Sequence, residues 1–202
     1  DRLDDSDNNI SQNSDSDNSS DDQNEKTVNK LEYYKLLNDM FDTVDCVPIR
    51  GNVATRLEYA ANSKVDGVLL SEVGLKRLGL NPTRHLLDPK VFIPAPSQGV
   101  IAIQQRQNDA EIERMIQSIS DETYMKKFRI ERYIMEALGF DCRIPLGIYL
   151  EADALGYHLF GYIANGSLTQ SQRFEARLSI NHWESEIRPT IAMVQQWLKE
   201  HD

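Results

Sequence analysis

Val44-Asp45-Cys46-Val47-Pro48-Ile49-Arg50-Gly51-Asn52-Val53-Ala54-Thr55-Arg56 opens the part of the chain that decides the fold class. The apolar positions from Val44 to Ile49 predict a short strand. Asn52 is suited to cap a helix that runs to about Ser63, because its side-chain oxygen can accept from the orphan N–H groups of a first turn. Val65 to Leu70 is a second apolar run, of buried-strand type, and a short helix follows through Leu80. Strand, helix, strand, helix in that order predicts a parallel-type α/β layer. Sheets of that type bind ligands at the C-terminal ends of their strands. Arg50 falls at one such end and Arg77 lies just beyond the next.

The chemistry of these positions points to an anion. A helix N-terminus presents unpaired N–H groups and the positive end of its dipole. Gly51 lets backbone approach closely, and guanidinium forks bind carboxylates through two parallel hydrogen bonds. Arg50, Arg56 and Arg77 therefore suit a ligand with several carboxylates. Spacing alone serves equally well for the plainer alternative, that Arg50 and Arg56 are surface cations beside a helix cap.

Outward from this stretch, Leu31, Tyr34, Leu37 and Phe41 form one apolar stripe and predict a helix from Lys30 to Phe41. Asn81 to Pro89 reads as a loop between two X-Pro turns, Val91 to Ile93 as a strand, and Pro94-Ala95-Pro96 as a stiff connector. Ile112, Met115, Ile116 and Ile119 predict an amphipathic helix over Asp109 to Ser120, and a longer helix follows with Asp121 as its cap. After Cys142 the period falls to two. Phe174, Ala176, Leu178 and Ile180 alternate with polar residues, as in a half-buried strand. Asn165-Gly166 predicts a tight turn after a strand at Tyr157 to Ala164. A last helix carries Ile191, Val194 and Leu198, and Pro189 is expected to open it.

Composition bounds the function classes. The 202 residues have a formal net charge of −10. Residues 1–25 hold nine Asp/Glu against the single Arg2, so the remainder is close to neutral. The leading Asp/Asn/Ser segment has too little apolar surface to offset the entropy of ordering, and residues 1–29 are expected to be disordered. A near-neutral folded part without a basic stripe argues against nucleic acid. No apolar run reaches the ~18 residues of a bilayer span, and no signal-peptide pattern is present. A chain beginning at Asp1 reads as cut from something longer. Cys46 and Cys142 lack metal-ligand spacing, the four histidines are scattered, and no metal site is expected. A reduced intracellular setting suits two unpatterned cysteines.

Further motifs share one order. Arg50-Gly51-Asn52-Val53-x-Thr55-Arg56 is followed by Asp66-Gly67-Val68-Leu69-Leu70 and by Gly74-Leu75-Lys76-Arg77-Leu78-Gly79. Then come Pro94-Ala95-Pro96-Ser97-Gln98-Gly99, Asp121-Glu122-Thr123, Glu131-Arg132 and Cys142-Arg143-Ile144-Pro145-Leu146-Gly147. Over roughly residues 44–200 this series resembles porphobilinogen deaminase, also called hydroxymethylbilane synthase. The resemblance implies an α/β fold. It comprises part of a periplasmic-binding-protein-like α/β domain over 30–106, then a small α+β domain with a three-stranded antiparallel sheet over 107–202. It also implies that Cys142 carries a dipyrromethane cofactor through a thioether, and that Arg50, Arg56 and Arg77 bind the cofactor's carboxylates. In that family four porphobilinogen molecules add head to tail to the primer, each losing ammonia, and hydrolysis releases hydroxymethylbilane. Implied partners are porphobilinogen and the growing oligopyrrole. The protein would be a monomer without nucleic acid or membrane, in the cytoplasm or an organellar stroma, soluble and not secreted.

Departures from the family pattern bear on activity. The family commonly has Gly-Gly before the cofactor cysteine, where this chain has Phe140-Asp141. A carboxylate beside the thiol would raise its pKa. The family's Ser-Ser-x-Arg-Arg falls on Asn29-Lys30-Leu31-Glu32-Tyr33, which lacks both arginines. The family's catalytic aspartate belongs to an N-terminal domain, no residue here matches its motif, and no catalytic residue is assigned to this chain. For Arg129 and Arg132 the plain expectation is helix-surface cations near Glu131 or Glu136. Three functions follow: part of a working deaminase, a carboxylate-binding module without chemistry, or a scaffold with a degraded cofactor loop.

Overall fold

The structure, a computed structural model, describes residues 35–41, 43–139 and 145–201. The expectations for the acidic segment 1–29, for residues 30–34 of the first predicted helix and for Cys142 lie outside them. Described helix α1 covers residues 35–40. It is followed by α2 (Val53–Ala61), α3 (Glu72–Arg77), α4 (Ala110–Ile119) and α5 (Glu122–Leu138). Strands β1 (Leu146–Ala152), β2 (Gly156–Ala164) and β3 (Ser171–Ser179) come next, and α6 (Trp183–His201) closes the order.

The three strands form one antiparallel sheet in the order β1-β2-β3. Its alternation puts Ile148, Leu159 and Leu178 on one face, against Ile130 and Ile134 of α5 and Ile187, Ile191, Val194 and Leu198 of α6. Burying side chains of this size contributes about 1.5–3 kcal/mol each. Gly161 is opposite Ile148 and Phe174 in the register. The Phe174 ring fills the space above it, and a Cβ there would lie 2.0 Å from the ring.

The second face is also covered. Phe160, Tyr162 and Ala164 pack with Leu36 of α1 and with Ile93. Leu36 and Ile93 are 0% and 2% exposed, so two segments distant in sequence close one side of the C-terminal sheet. Sheet-on-helix packing on one side and this patch on the other bury residues 145–201 more than the rest of the described residues.

Several caps follow the sequence. Asn52 accepts from the Thr55 N–H at 2.9 Å, and Asp121 accepts from Thr123 and Tyr124 at 2.9 and 3.1 Å. The Asn165-Gly166 turn closes with a Leu168 N–H bond to the Asn165 carbonyl. It sits within a longer connection, however. The buried Asn165 side chain accepts from Thr169 and Gln170 and donates to the Thr169 hydroxyl and the His201 carbonyl, binding the loop to the end of α6.

Two expectations need correction. Pro189 does not open the last helix, which begins six residues earlier at Trp183 with Pro189 inside it. The extra turn buries Ile187 completely, sets Trp183 edge-on to Tyr133 at 5.4 Å and lets Glu186 accept from the Ser179 N–H. These gains offset the hydrogen bond that Pro189 lacks. The segments expected to be strands at Val44–Ile49, Val65–Leu70 and Val91–Ile93 are not paired strands. A strand needs a ladder with a neighbour, and among the described residues the one sheet is β1-β2-β3; the third segment reaches its edge through a single backbone bond, from Ile148 N–H to the Pro94 carbonyl. Pro48 further removes a ladder donor, and Val44, Val47 and Leu69 remain exposed.

Candidate anion-binding site

The turn before α2 is built around Gly51. Its φ is +115°, and a Cβ there would meet the Thr55 methyl at 2.8 Å, so glycine is required twice over. Asn52 takes extended backbone and caps the helix, also accepting from the Thr55 hydroxyl at 3.1 Å. Arg56 folds back over the same turn, its Nε donating to the Gly51 carbonyl at 2.9 Å. One guanidinium of the predicted set is thus fixed beside the N-terminus of α2.

Helix α3 comes to the same place. Gly74 faces Val53, the first residue of α2, with 3.8 Å between the Val53 methyl and a Cβ at Gly74. Arg77 follows one turn later, on the face of α3 that Gly74 shares. Leu75, beside Gly74 on α3, is 4% exposed. Arg50 and Arg77 are exposed, and among the described residues neither side chain has a hydrogen-bond or ion-pair partner. Arg50 and Arg56 thus flank the N-terminus of α2, Arg56 held and half-buried and Arg50 exposed, while the exposed Arg77 lies on α3.

Three other charges of the region, Arg84, Lys76 and Glu72, are engaged with one another. Arg84, to which sequence reasoning assigned no role, donates to the Asn81 side chain at 2.6 Å and pairs with Glu72 at 3.4 Å. It fastens the Asn81-Pro82 loop to the start of α3, and only its place after an Asn-Pro turn hinted at that. Lys76 also pairs with Glu72, at 3.1 Å. Arg132 pairs with Glu136 at 3.3 Å, as expected of a helix-surface cation, and Arg129 is exposed.

Glu131, expected from the sequence as a neighbour of Arg129 or Arg132, has a different defined partner. Its carboxylate accepts from the Ser97 N–H at 2.6 Å, where Ser97 adopts φ +63°. Burial pushes the Glu131 carboxyl above the usual range despite that bond. The pair joins the Pro94–Gly99 connector to α5, the helix that leads toward Cys142.

Cys142 lies outside the described residues. Cys46 is part-buried, and burial with the neighbouring Asp45 charge pushes its thiol up, which disfavours the reactive thiolate. Among the described residues no three His, Cys, Asp or Glu side chains converge as a metal site, and no helix is long and apolar enough to cross a membrane.

Residues 30–114 match the family described as "Porphobilinogen deaminase, dipyromethane cofactor binding domain". A probable porphobilinogen deaminase of Methanocella arvoryzae is 43% identical over 113 residues, 54% of this chain and 37% of the relative. A porphobilinogen deaminase of Limosilactobacillus reuteri is 41% identical over 103 residues, 50% of this chain and 34% of the relative. A probable porphobilinogen deaminase of Hyperthermus butylicus is 35% identical over 130 residues, 64% and 42% respectively. The chain thus spans between 34% and 42% of the length of these relatives.

Proposed function

We propose, from the match of residues 30–114 to the porphobilinogen deaminase family, that this chain is the C-terminal portion of a hydroxymethylbilane synthase. The observation that carries the reading is the Gly51 turn with Arg56 folded onto it, because the same residues lie inside the family match. The donor set suits dipyrromethane, whose pyrrole rings bear acetate and propionate groups. Exposed guanidinium groups and a helix N-terminus supply the charge and hydrogen bonds those carboxylates need.

In this reading Cys142 holds the cofactor by a thioether, and Arg50, Arg56 and Arg77 bind its carboxylates. The group, once attached, supplies the nucleophilic pyrrole from which the tetrapyrrole grows. Arg56 is pre-oriented by its bond to Gly51, so it loses little freedom on binding. Arg50 and Arg77 are free to follow the successive carboxylates of a lengthening chain. No residue here matches the family's aspartate, so the isolated chain is inactive and the acid–base work belongs to another part of the protein.

The organisation that accompanies this reading is a disordered acidic segment at 1–29, an α/β anion-binding domain at 30–106 and a cofactor-attachment domain at 107–202. The first of the two folded units would be part of a periplasmic-binding-protein-like domain, its unpaired extended segments becoming strands once neighbours are present. Substrate and partner are porphobilinogen and the growing oligopyrrole, and the protein is a monomer of the cytoplasm or an organellar stroma.

Phe140-Asp141 favours a second reading, a scaffold that never loads its cofactor. Joining the chain to the first domain of a relative such as the Limosilactobacillus reuteri protein separates the two. Conversion of porphobilinogen to hydroxymethylbilane by the joined protein, with none by the chain alone, supports the enzyme. Tight binding of oligopyrrole without turnover supports a binding module, and neither binding nor turnover supports the scaffold.

A further inference from the structure

Residues 43–89 carry all three candidate arginines and bury only one described side chain, Leu75. Both ends of this excursion are fastened to the same face of the C-terminal sheet. At the exit, Lys90 pairs with Glu151 at 2.9 Å, and the Val91 carbonyl accepts from Arg173 at 2.8 Å. Ile93 is buried under Phe160 and Tyr162, and the Pro94 carbonyl accepts from the Ile148 N–H at 2.8 Å.

At the entry the polar fastening centres on one carboxylate. Asp39 accepts from the Tyr162 hydroxyl at 3.0 Å and from the Ser171 hydroxyl at 2.5 Å. Its other oxygen accepts from Lys35, one turn back along α1. Arg173 lies over the Tyr162 ring at 5.8 Å and adds positive charge nearby. Leu36 beside it is the one wholly buried apolar anchor of α1. Two hydroxyl donors and two cations thus converge on one carboxylate.

We propose that Asp39 is the releasable pin of this arrangement. Its carboxylate holds α1 on the sheet, and loss of that charge frees α1 and the entry of the arginine-bearing excursion. Residues 90–97 keep the exit in place, so a segment fixed at two points becomes one hinged at a single point. Replacing the carboxylate by an amide removes the negative charge that Lys35 and Arg173 face, and it leaves one oxygen instead of two to accept from Lys35, Tyr162 and Ser171. This inference concerns the fold and stands whatever the arginines bind.

Hydrogen exchange on the full chain tests it. In Asp39→Asn, amide protection over residues 35–41 is expected to fall on the order of tenfold or more while β2 and α6 keep theirs. Tyr162→Phe and Ser171→Ala, which leave the carboxylate and the helix intact, should give smaller losses confined to the same residues. These two variants carry the test if Asp39→Asn does not fold. Unchanged protection over 35–41 in all variants that fold would overturn the proposal. So would an equal loss in β2 and α6, because α1 would then open only with the whole sheet.

Discussion

The Arg56 Nε sits 2.9 Å from the carbonyl oxygen of Gly51, five residues earlier, so the turn before α2 positions an arginine as well as opening a helix. Arg50 and Arg77 lack such a tether. If these arginines hold a polycarboxylate, losing one guanidinium leaves a carboxylate unpaired at a cost of roughly 2–5 kcal/mol. That is on the order of 30-fold or more, at about 1.4 kcal/mol per decade. In a protein completed by a first domain, Arg50→Leu, Arg56→Leu and Arg77→Leu should each slow elongation by that factor. Lys should restore part of it, supplying charge without the planar fork. Single-turnover rates with porphobilinogen measure this directly, and normal elongation by all three Leu variants would remove the cradle.

Gly51→Ala tests the turn itself. The added Cβ meets the Thr55 methyl at 2.8 Å and must take φ +115°. A cost of about 1–3 kcal/mol is expected for a side chain held in so sparsely populated a region. Because α2 and α3 meet at Val53 and Gly74, the loss should appear as lower amide protection in both helices, with β2 and α6 unaffected.

Gly161→Ala is a separate test of the second unit. A methyl 2.0 Å from the Phe174 ring cannot be accommodated without moving a central residue of the core. Overpacking of this kind typically costs about 1–3 kcal/mol. Thermal unfolding should shift downward, and Phe174→Leu in the same chain should recover part of the loss by clearing the space.

Acid should loosen the molecule through identifiable carboxylates. Burial pushes Asp39 up, but the bonds from Lys35, Ser171 and Tyr162 outweigh it and leave this carboxyl below its usual value. Asp153 is depressed by the Leu155 N–H, then by Arg177 and the Gly156 N–H. Glu186 is depressed by the Ser179 N–H and hydroxyl. Folded values below unfolded ones give stability that is present above about pH 4 and lost as pH falls through the folded values. Glu131 acts in the opposite sense, since burial raises it and its ionised form costs stability at neutral pH. Asp39→Asn should therefore differ most from the unaltered chain near neutrality. The two unfolding midpoints should converge as pH drops below about 4.

Much of this was legible in the sequence because the signals were local. The caps Asn52 and Asp121, the helices at 110–138 and the alternation of β3 each depend on neighbours within a few residues. What escaped reading depends on distance. Asp39 finds Tyr162 and Ser171 more than 120 residues away, and no periodicity announces that partnership. Pro189 looked like a helix start because proline favours that position, but burial of Ile187 and the Trp183–Tyr133 contact extend the helix past it. The apolar runs at 44–49 and 65–70 carry strand-like composition, whereas a strand also needs a partner. The arginine set rests on pattern, whereas the Gly74–Val53 contact between α3 and α2 could not be read from spacing.

The central claim, that the protein carries a dipyrromethane primer on Cys142, is tested most directly by intact mass. The chain joined to a first domain should gain the increment of two pyrrole units, and Cys142→Ser should show none. No gain in the unaltered joined protein after incubation with porphobilinogen would contradict the claim and leave Phe140-Asp141 marking a loop that no longer loads. A gain that persists in Cys142→Ser would place the attachment elsewhere.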